Sequence, residues 1–594
     1  MFICLAVSLI FVFSSMGVTT AQTEEKYPTW REWGEKYWPT KPVRGGYLKR
    51  AATRYVGMMN PNHWPVGDWT THYYIFDKPV FRDGTYKANV PWLAKSWEFL
   101  DPYTVIMKFH NGVTFHDGSE FSAETVKYQI EWILDKKNGA WSKAYLRNLK
   151  STEILDKYTI KWSFKNKWGA FLDTMPAGVV GMQLSAKALA EDSALRELKK
   201  LGKKATKARK NADKLKKKAG SGTEKDKSDA TKADNKATKL ENKAKTAAAA
   251  TKDAKNFDTN PVGTGKYMLE EASPGNYVKL KRNPDWWFGK SIGHPDMPYL
   301  DGVIITVIPD PAVQLANLRA GKIDTMNVDK ANYDMIKDDS NLYVYKFPGN
   351  AVASLYFNHA QGPCQNILVR KAISHAIDRK ALIVGTQFGM GRIASAGFPG
   401  DHWAHNPDLK PVSFDPELSK KLLVEAGYPN GLSIKGHGGN TTAAISANEA
   451  IKAMLMNVGI DWQVDALDQA AASDRLKNLE YDLLTGGYAN IWEPDIMLTN
   501  LYHPKGGFNY GRSNNKKAIE LIEIGRNETN QSKRQQIYHK LEKALYDNYE
   551  DAWLWWAVYV VAYNKRVQGF NNEMNIKFRE GFDRSHPLWL KDGK

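Results

Sequence analysis

The sequence predicts an α/β fold, and three observations carry that prediction. Short strand-like runs alternate with helix-period stretches over residues 46–185 and again from 257 onward. The helical stretches carry their own start and stop residues, the pattern of sheets covered by helices. One segment, 187–255, interrupts the rhythm with a composition of Lys, Ala, Asp and Thr almost free of aromatics.

The elements follow in order. Gly45-Gly46-Tyr47-Leu48 opens the first strand, and Tyr103, Val105, Met107 and Phe109 are expected on one face of a later one. Asp117-Gly118 turns the chain, and Ser122 is placed to cap a helix carrying Val126, Ile130 and Ile133. In 187–255, strong helix formers on both sides of Gly220-Ser221-Gly222 predict two helices joined by a turn. Residues 303–308 read as a near-continuous apolar strand. Pro309-Asp310-Pro311 then starts a helix that Gly321 ends. Val369, Ala372, Ile373, Ala376 and Ile377 mark one buried helix stripe. Asp415, Pro416 and Gly427 bracket a further helix. Another covers about 442–458, stops at Gly459 and feeds the alternating strand Ile460, Trp462, Val464, Ala466.

Length, 594 residues, is a prior for about four folding units. The formal charge of +18 is concentrated: residues 191–255 hold 21 Lys and Arg against 10 Asp and Glu, so +11 belongs to that one segment. Basic character confined in this way is no footprint for nucleic acid spread over a folded surface. Such a segment reads either as a solvated loop excursion or as a docking arm for an acidic partner. At the N-terminus, residues 3–13 are apolar and Thr19-Thr20-Ala21 supplies small residues, so an export signal cut before Gln22 is expected. No Lys or Arg precedes that apolar run. Cys4 lies inside the expected signal. Cys364 is then the one remaining thiol, and no intramolecular disulfide is expected. Residues 27–43, aromatic, charged and Pro-punctuated, read as a strap leading to the first strand.

Motifs for chemistry are incomplete. Gly289-Lys290-Ser291 resembles the end of a phosphate-binding loop, but Pro284 stands where the cradle needs glycine. Gly389-Met390-Gly391-Arg392-Ile393-Ala394 fits a dinucleotide fingerprint literally, yet follows a helix where a strand is required. Gly436-His437-Gly438-Gly439 has no nucleophile elbow to serve, and His110 and His116 lack zinc spacing. No enzyme activity, metal or cofactor is therefore expected. Aromatics in Gly/Pro-rich loops (Trp64, Trp69, Trp403, Tyr488, Trp492) suit either satellite packing or a cleft that stacks on a ligand.

A series of motifs resembles one family, the extracellular solute-binding proteins of family 5. The series begins at Gly45-Gly46-Tyr47-Leu48 and Pro91-Trp92-Leu93-Ala94. It continues with Phe109-His110-Asn111-Gly112 and Phe115-His116-Asp117-Gly118, then Pro261-Val262-Gly263-Thr264-Gly265 and Arg282-Asn283-Pro284-Asp285-Trp286-Trp287. Gly321-Lys322-Ile323-Asp324, Ala376-Ile377-Asp378-Arg379 and Ala426-Gly427-Tyr428-Pro429 complete it in family order.

The resemblance implies a large two-lobed periplasmic-binding-protein fold of the cluster C type, with three subdomains. The expected division is a signal peptide over 1–21, a strap over 22–42, lobe I over 43–345, lobe II over 346–558 and a return to lobe I over 559–594. Lobe I would contain a subdomain at about 86–257, into which 187–255 is inserted as a helical hairpin. It implies a periplasmic, monomeric receptor that captures a peptide, opine, sugar or chelate and hands it to an inner-membrane ABC permease. The alternatives are a surface adhesin working through the basic hairpin and a secreted hydrolase. By resemblance three loops touch the ligand. The first carries Asn60, His63 and Trp64, the second Arg392 and Trp403, and the third Tyr488, Asn490, Trp492 and Glu493. Trp403, Tyr488 and Trp492 would stack, Arg392 would pair an anionic group and Asn490 would hydrogen-bond. Peptide-binding relatives place an Asp in the third loop to pair an α-ammonium. Residues 486–492 contain no acid, so that pairing would require Glu493 or Asp495 to turn inward.

Overall fold

A computed structural model describes residues 42–64, 69–489, 492–570 and 588–594. The expected signal peptide, the 22–42 strap apart from residue 42, Asn490 and much of the C-terminal return lie outside the described residues.

One eleven-stranded sheet runs through the molecule. On one side of its centre, Thr325–Asn327 is followed outward by Tyr47–Ala52, Gly302–Val307, Tyr277–Arg282 and Tyr267–Ser273. On the other side stand Leu483–Tyr488, Leu432–Gly439 and Ile460–Leu467. Two long strands, Leu342–Phe357 and Asp551–Asn564, pair antiparallel in the middle and tie the halves together. A separate antiparallel sheet orders Ala94–Asp101, Thr104–Phe109, Thr159–Phe164 and Leu149–Asp156.

Local chemistry explains these elements. Gly302–Val307 is parallel to Tyr47–Ala52 on one edge and antiparallel to Tyr277–Arg282 on the other. A strand flanked on both edges and packed between layers reads as a continuous apolar run rather than an alternating one. Ser122 forms a capping box with Thr125 at the start of helix Ala123–Leu134. The Asp310 carboxylate accepts from the amides of Ala312 and Val313 at 2.7 and 3.1 Å, with Pro311 in the first turn. Gly427 follows helix Pro416–Glu425 at φ +94°, a conformation glycine adopts without strain. Tyr103 departs from its expected place: it is 45% exposed. Its amide closes a turn on the Asp101 carboxylate at 2.6 Å, so the strand starts one residue later, at Thr104.

The interior divides into several clusters. The largest joins Leu48, Val105, Trp162, Leu280 and Val303 with Val561 and Trp589. A second gathers Leu355, Ile373, Leu455, Trp462 and Leu554. Burying each such side chain contributes about 1.5–3 kcal/mol. A third cluster bridges the halves, placing Tyr86 among Trp403, Tyr538, Trp553 and Trp556. Helices Ala186–Ala219 and Glu224–Ala250 lie side by side as a hairpin.

Candidate functional site

The centre of the sheet has an opening built into its hydrogen-bond ladder. Thr325–Asn327 pairs with strand Asp551–Asn564 at residues 561–563, and the short strand Gly391–Ile393 pairs with it at 555–557. Leu342–Phe357 fills the other edge, so both short strands share one edge and leave residues 558–560 between them. Opposite, the long pairing breaks register between Pro348 and Val352. Pro348-Gly349-Asn350 supplies the break, since proline removes a ladder donor and a bulge bends the strand. The Tyr559 ring lies over Gly349, where an added Cβ would meet it at 2.5 Å.

Arg392 spans this opening. One guanidinium nitrogen donates to the Gly349 carbonyl at 2.7 Å and the other meets Asp401 at 3.3 Å. Its Nε and the Nδ2 of Asn350 are buried and without a hydrogen-bond partner among the described residues. An unpaired buried donor costs about 1–3 kcal/mol, which marks both groups as candidates for contact with an acceptor.

The third loop departs from expectation at its acids. Glu493 is 1% exposed and caps helix Pro494–Tyr502 by accepting from the Asp495 amide at 2.9 Å. Its two oxygens also take a fork from Arg534, one contact at 3.2 Å. Asp495 accepts from Arg526 Nε at 2.9 Å and from the Thr499 hydroxyl at 3.0 Å. Both carboxylates are buried and each is committed to a neighbouring arginine. Burial disfavours the charged Arg534 guanidinium, but the Glu493 carboxylate outweighs that cost and holds its pKa above the ordinary arginine value.

The other expected residues are distributed unevenly. Trp403 is 5% exposed, edge-on to Tyr538 at 5.7 Å and beneath the Arg534 guanidinium at 5.4 Å, with its indole N–H unpaired. Trp492, half-buried, receives Arg82 over its ring at 5.3 Å. Tyr488 ends the strand opposite Val352, and burial raises its hydroxyl pKa beside Tyr502 and Trp553. Tyr502 donates to Asp551 at 2.6 Å, and burial pushes that carboxyl up to about 8. The first loop goes elsewhere. Asn60 is fully buried, His63 bonds the Asn138 carbonyl at 2.8 Å and meets Trp132 edge-on at 5.4 Å, and the Trp64 ring fills the space over Gly57. Burial lowers the His63 pKa. Next to this loop, a cavity of about 290 Å³ is lined in part by Arg50, Arg54, Tyr55, Thr70 and Asn327.

The halves touch around the opening. The Trp403 amide donates to the Thr85 carbonyl at 3.2 Å, Tyr86 lies 5.2 Å from the His402 ring, and the Gly169 amide reaches the Arg526 carbonyl at 3.3 Å. Sequence reasoning missed Arg82, Thr85 and Gly169, which sit in stretches with no motif; the Pro-Gly-Asn break inside an apolar run was a readable signal for the bulge.

A model of the bacterial extracellular solute-binding proteins, family 5, matches residues 89–509. The chain belongs to family 5 of these solute-binding proteins. A di/tripeptide-binding protein of Pseudomonas aeruginosa is 24% identical to it over 492 residues, 78% of this chain and 79% of that protein. Among solved structures, DppA from Helicobacter pylori in complex with the peptide STSA superposes with a TM-score of 0.68 at 23% identity, covering 92% of this chain and 99% of that one. NikZ from Campylobacter jejuni in complex with Ni(L-His) gives 0.67 at 22% identity, covering 88% and 95%.

The motifs that mark this family 5 protein turn out to be scaffold. His116 Nδ1 accepts from the Gly263 amide at 3.3 Å while Nε2 donates to the Gly265 carbonyl at 2.9 Å, which requires a neutral ring. Burial lowers its pKa to about 4 and keeps it neutral. Arg379 is buried and donates to the Trp553 carbonyl at 2.7 Å, pinning its helix to a crossing strand. Arg370 donates to the carbonyls of Cys364 and Asn548, at 2.9 and 2.8 Å. Cys364 is fully buried, and desolvation raises its thiol pKa, which disfavours the reactive thiolate.

Proposed function

We propose that this protein is the periplasmic receptor of an ABC importer. It acts as a monomer, closing two lobes over a small organic solute and presenting it unchanged to an inner-membrane permease. Lobe I would comprise 43–345 with the C-terminal return over 559–594, and lobe II 346–558. The observation that carries the reading is the opening at residues 558–560, flanked by a bulge and by the unpaired donors of Arg392 and Asn350, where two crossing strands join the halves. Crossing strands let the halves rotate with little change elsewhere, and closing them on a solute excludes water from its contacts.

The donors favour a solute that presents carboxylate or carbonyl oxygens. Its positive end, if it has one, would not be met by Glu493 or Asp495, whose oxygens already serve Arg534 and Arg526. Arg392 and Asn350 would orient the solute, with Trp492 and Tyr488 at the wall. Family relatives named for dipeptides and for a nickel–histidine chelate fit a carboxylate-bearing solute of this size.

Thermal unfolding against peptides, opines, sugars and metal chelates tests the proposal. A true solute at 100 times its dissociation constant adds about 2.7 kcal/mol and raises the melting temperature. A solute that stabilises and is recovered intact supports a receptor. One that is consumed sinks the receptor reading in favour of a hydrolase.

A further inference from the structure

The densest charge on the molecule stands on one face of one helix. Helices Ala186–Ala219 and Glu224–Ala250 meet along a seam of small residues, with Ala205, Ala212, Ala230 and Ala237 all buried. Arg209 crosses the seam, its Nε donating to Glu241 at 2.9 Å while the same guanidinium pairs Asp234. At the base, Ala188 and Leu189 enter the main core, and Asp192 accepts from the Phe257 amide at 3.1 Å. The hairpin therefore holds itself together without using the face opposite the seam.

That face is a lysine stripe. At 3.6 residues per turn, Lys203, Lys207, Lys210, Lys214 and Lys217 fall within an arc of about 80°, with Lys199 at its edge and Lys204 about 60° beyond it. All seven are exposed, and none forms an ion pair among the described residues. At the ends, Lys200 donates to the Lys137 carbonyl at 3.0 Å and Lys218 pairs Asp226 at 2.9 Å. Asp213, the one acid in this stretch of the helix, falls outside the arc. From Lys199 to Lys217 the stripe runs about 27 Å at 1.5 Å per residue.

Like charges three and four residues apart destabilise a helix, and no ion pair among the described residues offsets that here. The stripe's chemistry also selects its counterpart. No large apolar side chain is exposed on either helix, so the hairpin has nothing to insert into hydrocarbon. Its two arginines are spent internally, Arg196 on Asp192 and Arg209 on the second helix. What remains is a row of ammonium point charges without forks or aromatics. Such a row fits a field of headgroup phosphates better than the bases of a nucleic acid. We infer that this stripe docks the protein on an anionic phospholipid surface.

Sedimentation of the full chain with vesicles containing about 30% phosphatidylglycerol in phosphatidylcholine, at about 20 mM salt, tests the inference. Vesicles of phosphatidylcholine alone measure whatever the apolar N-terminal residues contribute. Binding is expected only with the anionic lipid and is expected to vanish near 300 mM salt, where the Debye length falls to roughly 6 Å. Replacing Lys203, Lys207, Lys210, Lys214 and Lys217 together by Gln should lower the partition coefficient by roughly three orders of magnitude. The same five changed to Arg should retain binding, and circular dichroism confirms that both variants keep their helices. Equal binding by the Gln variant overturns the inference. So does duplex DNA that strips the protein from vesicles at equal phosphate concentration.

Discussion

Gly169→Ala isolates the closing motion from the fold. Gly169 follows Trp168 at the edge of the small antiparallel sheet, and its amide donates to the Arg526 carbonyl in the other half at 3.3 Å. A Cβ there would stand 1.9 Å from the Glu528 carbonyl oxygen and 3.0 Å from Arg534 Nε. Ordinary contact begins near 3.4 Å, so the halves must part by about 1.5 Å at this point. Backbone oxygen cannot swing aside as a flexible side chain would. Parting would break the Gly169–Arg526 bond and stretch the Thr85–Trp403 bond of 3.2 Å. Gly169 does not occupy the left-handed backbone region, so alanine is unstrained wherever the halves stand apart.

Overpacking of this kind costs about 1–3 kcal/mol, which under the proposed closure falls on the form in which the halves meet. Apparent solute affinity should therefore fall by about 5- to 150-fold while the melting temperature of the solute-free protein stays unchanged. Titration calorimetry reads the affinity, and small-angle scattering at saturating solute reads the closure. Gly385→Ala, at a helical position with nothing within 4 Å, is the control. A Gly169→Ala protein that binds and compacts like the parent would refute the reasoning, because the two halves would then not meet at Glu528 when closed.

Further outcomes follow from the buried charges. Arg534→Met leaves Glu493 unpaired at 1% exposure and should cost about 3–5 kcal/mol in urea unfolding, with Glu493→Gln in the same chain recovering part of the loss. Arg392→Lys keeps the charge but loses the planar fork on Gly349 and Asp401; solute affinity should drop at least tenfold with unfolding unchanged. Asp551, raised to about 8 by burial, keeps its proton in the fold while the unfolded chain releases it above about pH 4. The native state then holds one more proton between those limits, so stability falls as pH rises through that window. Asp551→Asn should flatten the decline by about 1 kcal/mol per pH unit, read from urea midpoints at pH 5, 6 and 7.

The fold was legible where a local signal and a global need coincide. Ser122, Asp310 and Asp415 cap helices because the same residues that satisfy free amides also suit the turns before them. The candidate site was legible in position but not in occupancy. Glu493 stands at a turn that family order singles out, yet Arg534 lies 41 residues on, in a stretch that reads as an exposed charged helix. Only packing reveals that its guanidinium is 2% exposed and turned inward. His63 is likewise held by residues remote in sequence. Trp132 and Asn138, which hold it, lie about 70 residues away with no pattern linking them to the first loop.

In the proposed receptor, the residues that hold the fold and those that would choose the solute are different. His116, Arg370 and Arg379 bond backbone carbonyls and so hold strands and helices in register. Those bonds tell nothing about what is bound. Under the proposed function the discriminating groups would be backbone breaks and loop side chains: the 349–351 bulge, the fork of Arg392, and the aromatic wall at Tyr488 and Trp492. Because arginines already neutralise both acids of the third loop, selectivity here would come from unpaired donors rather than from a carboxylate. A buried donor left unpaired by the wrong solute is penalised more heavily than a lost apolar contact, so two such donors can reject solutes that lack an acceptor.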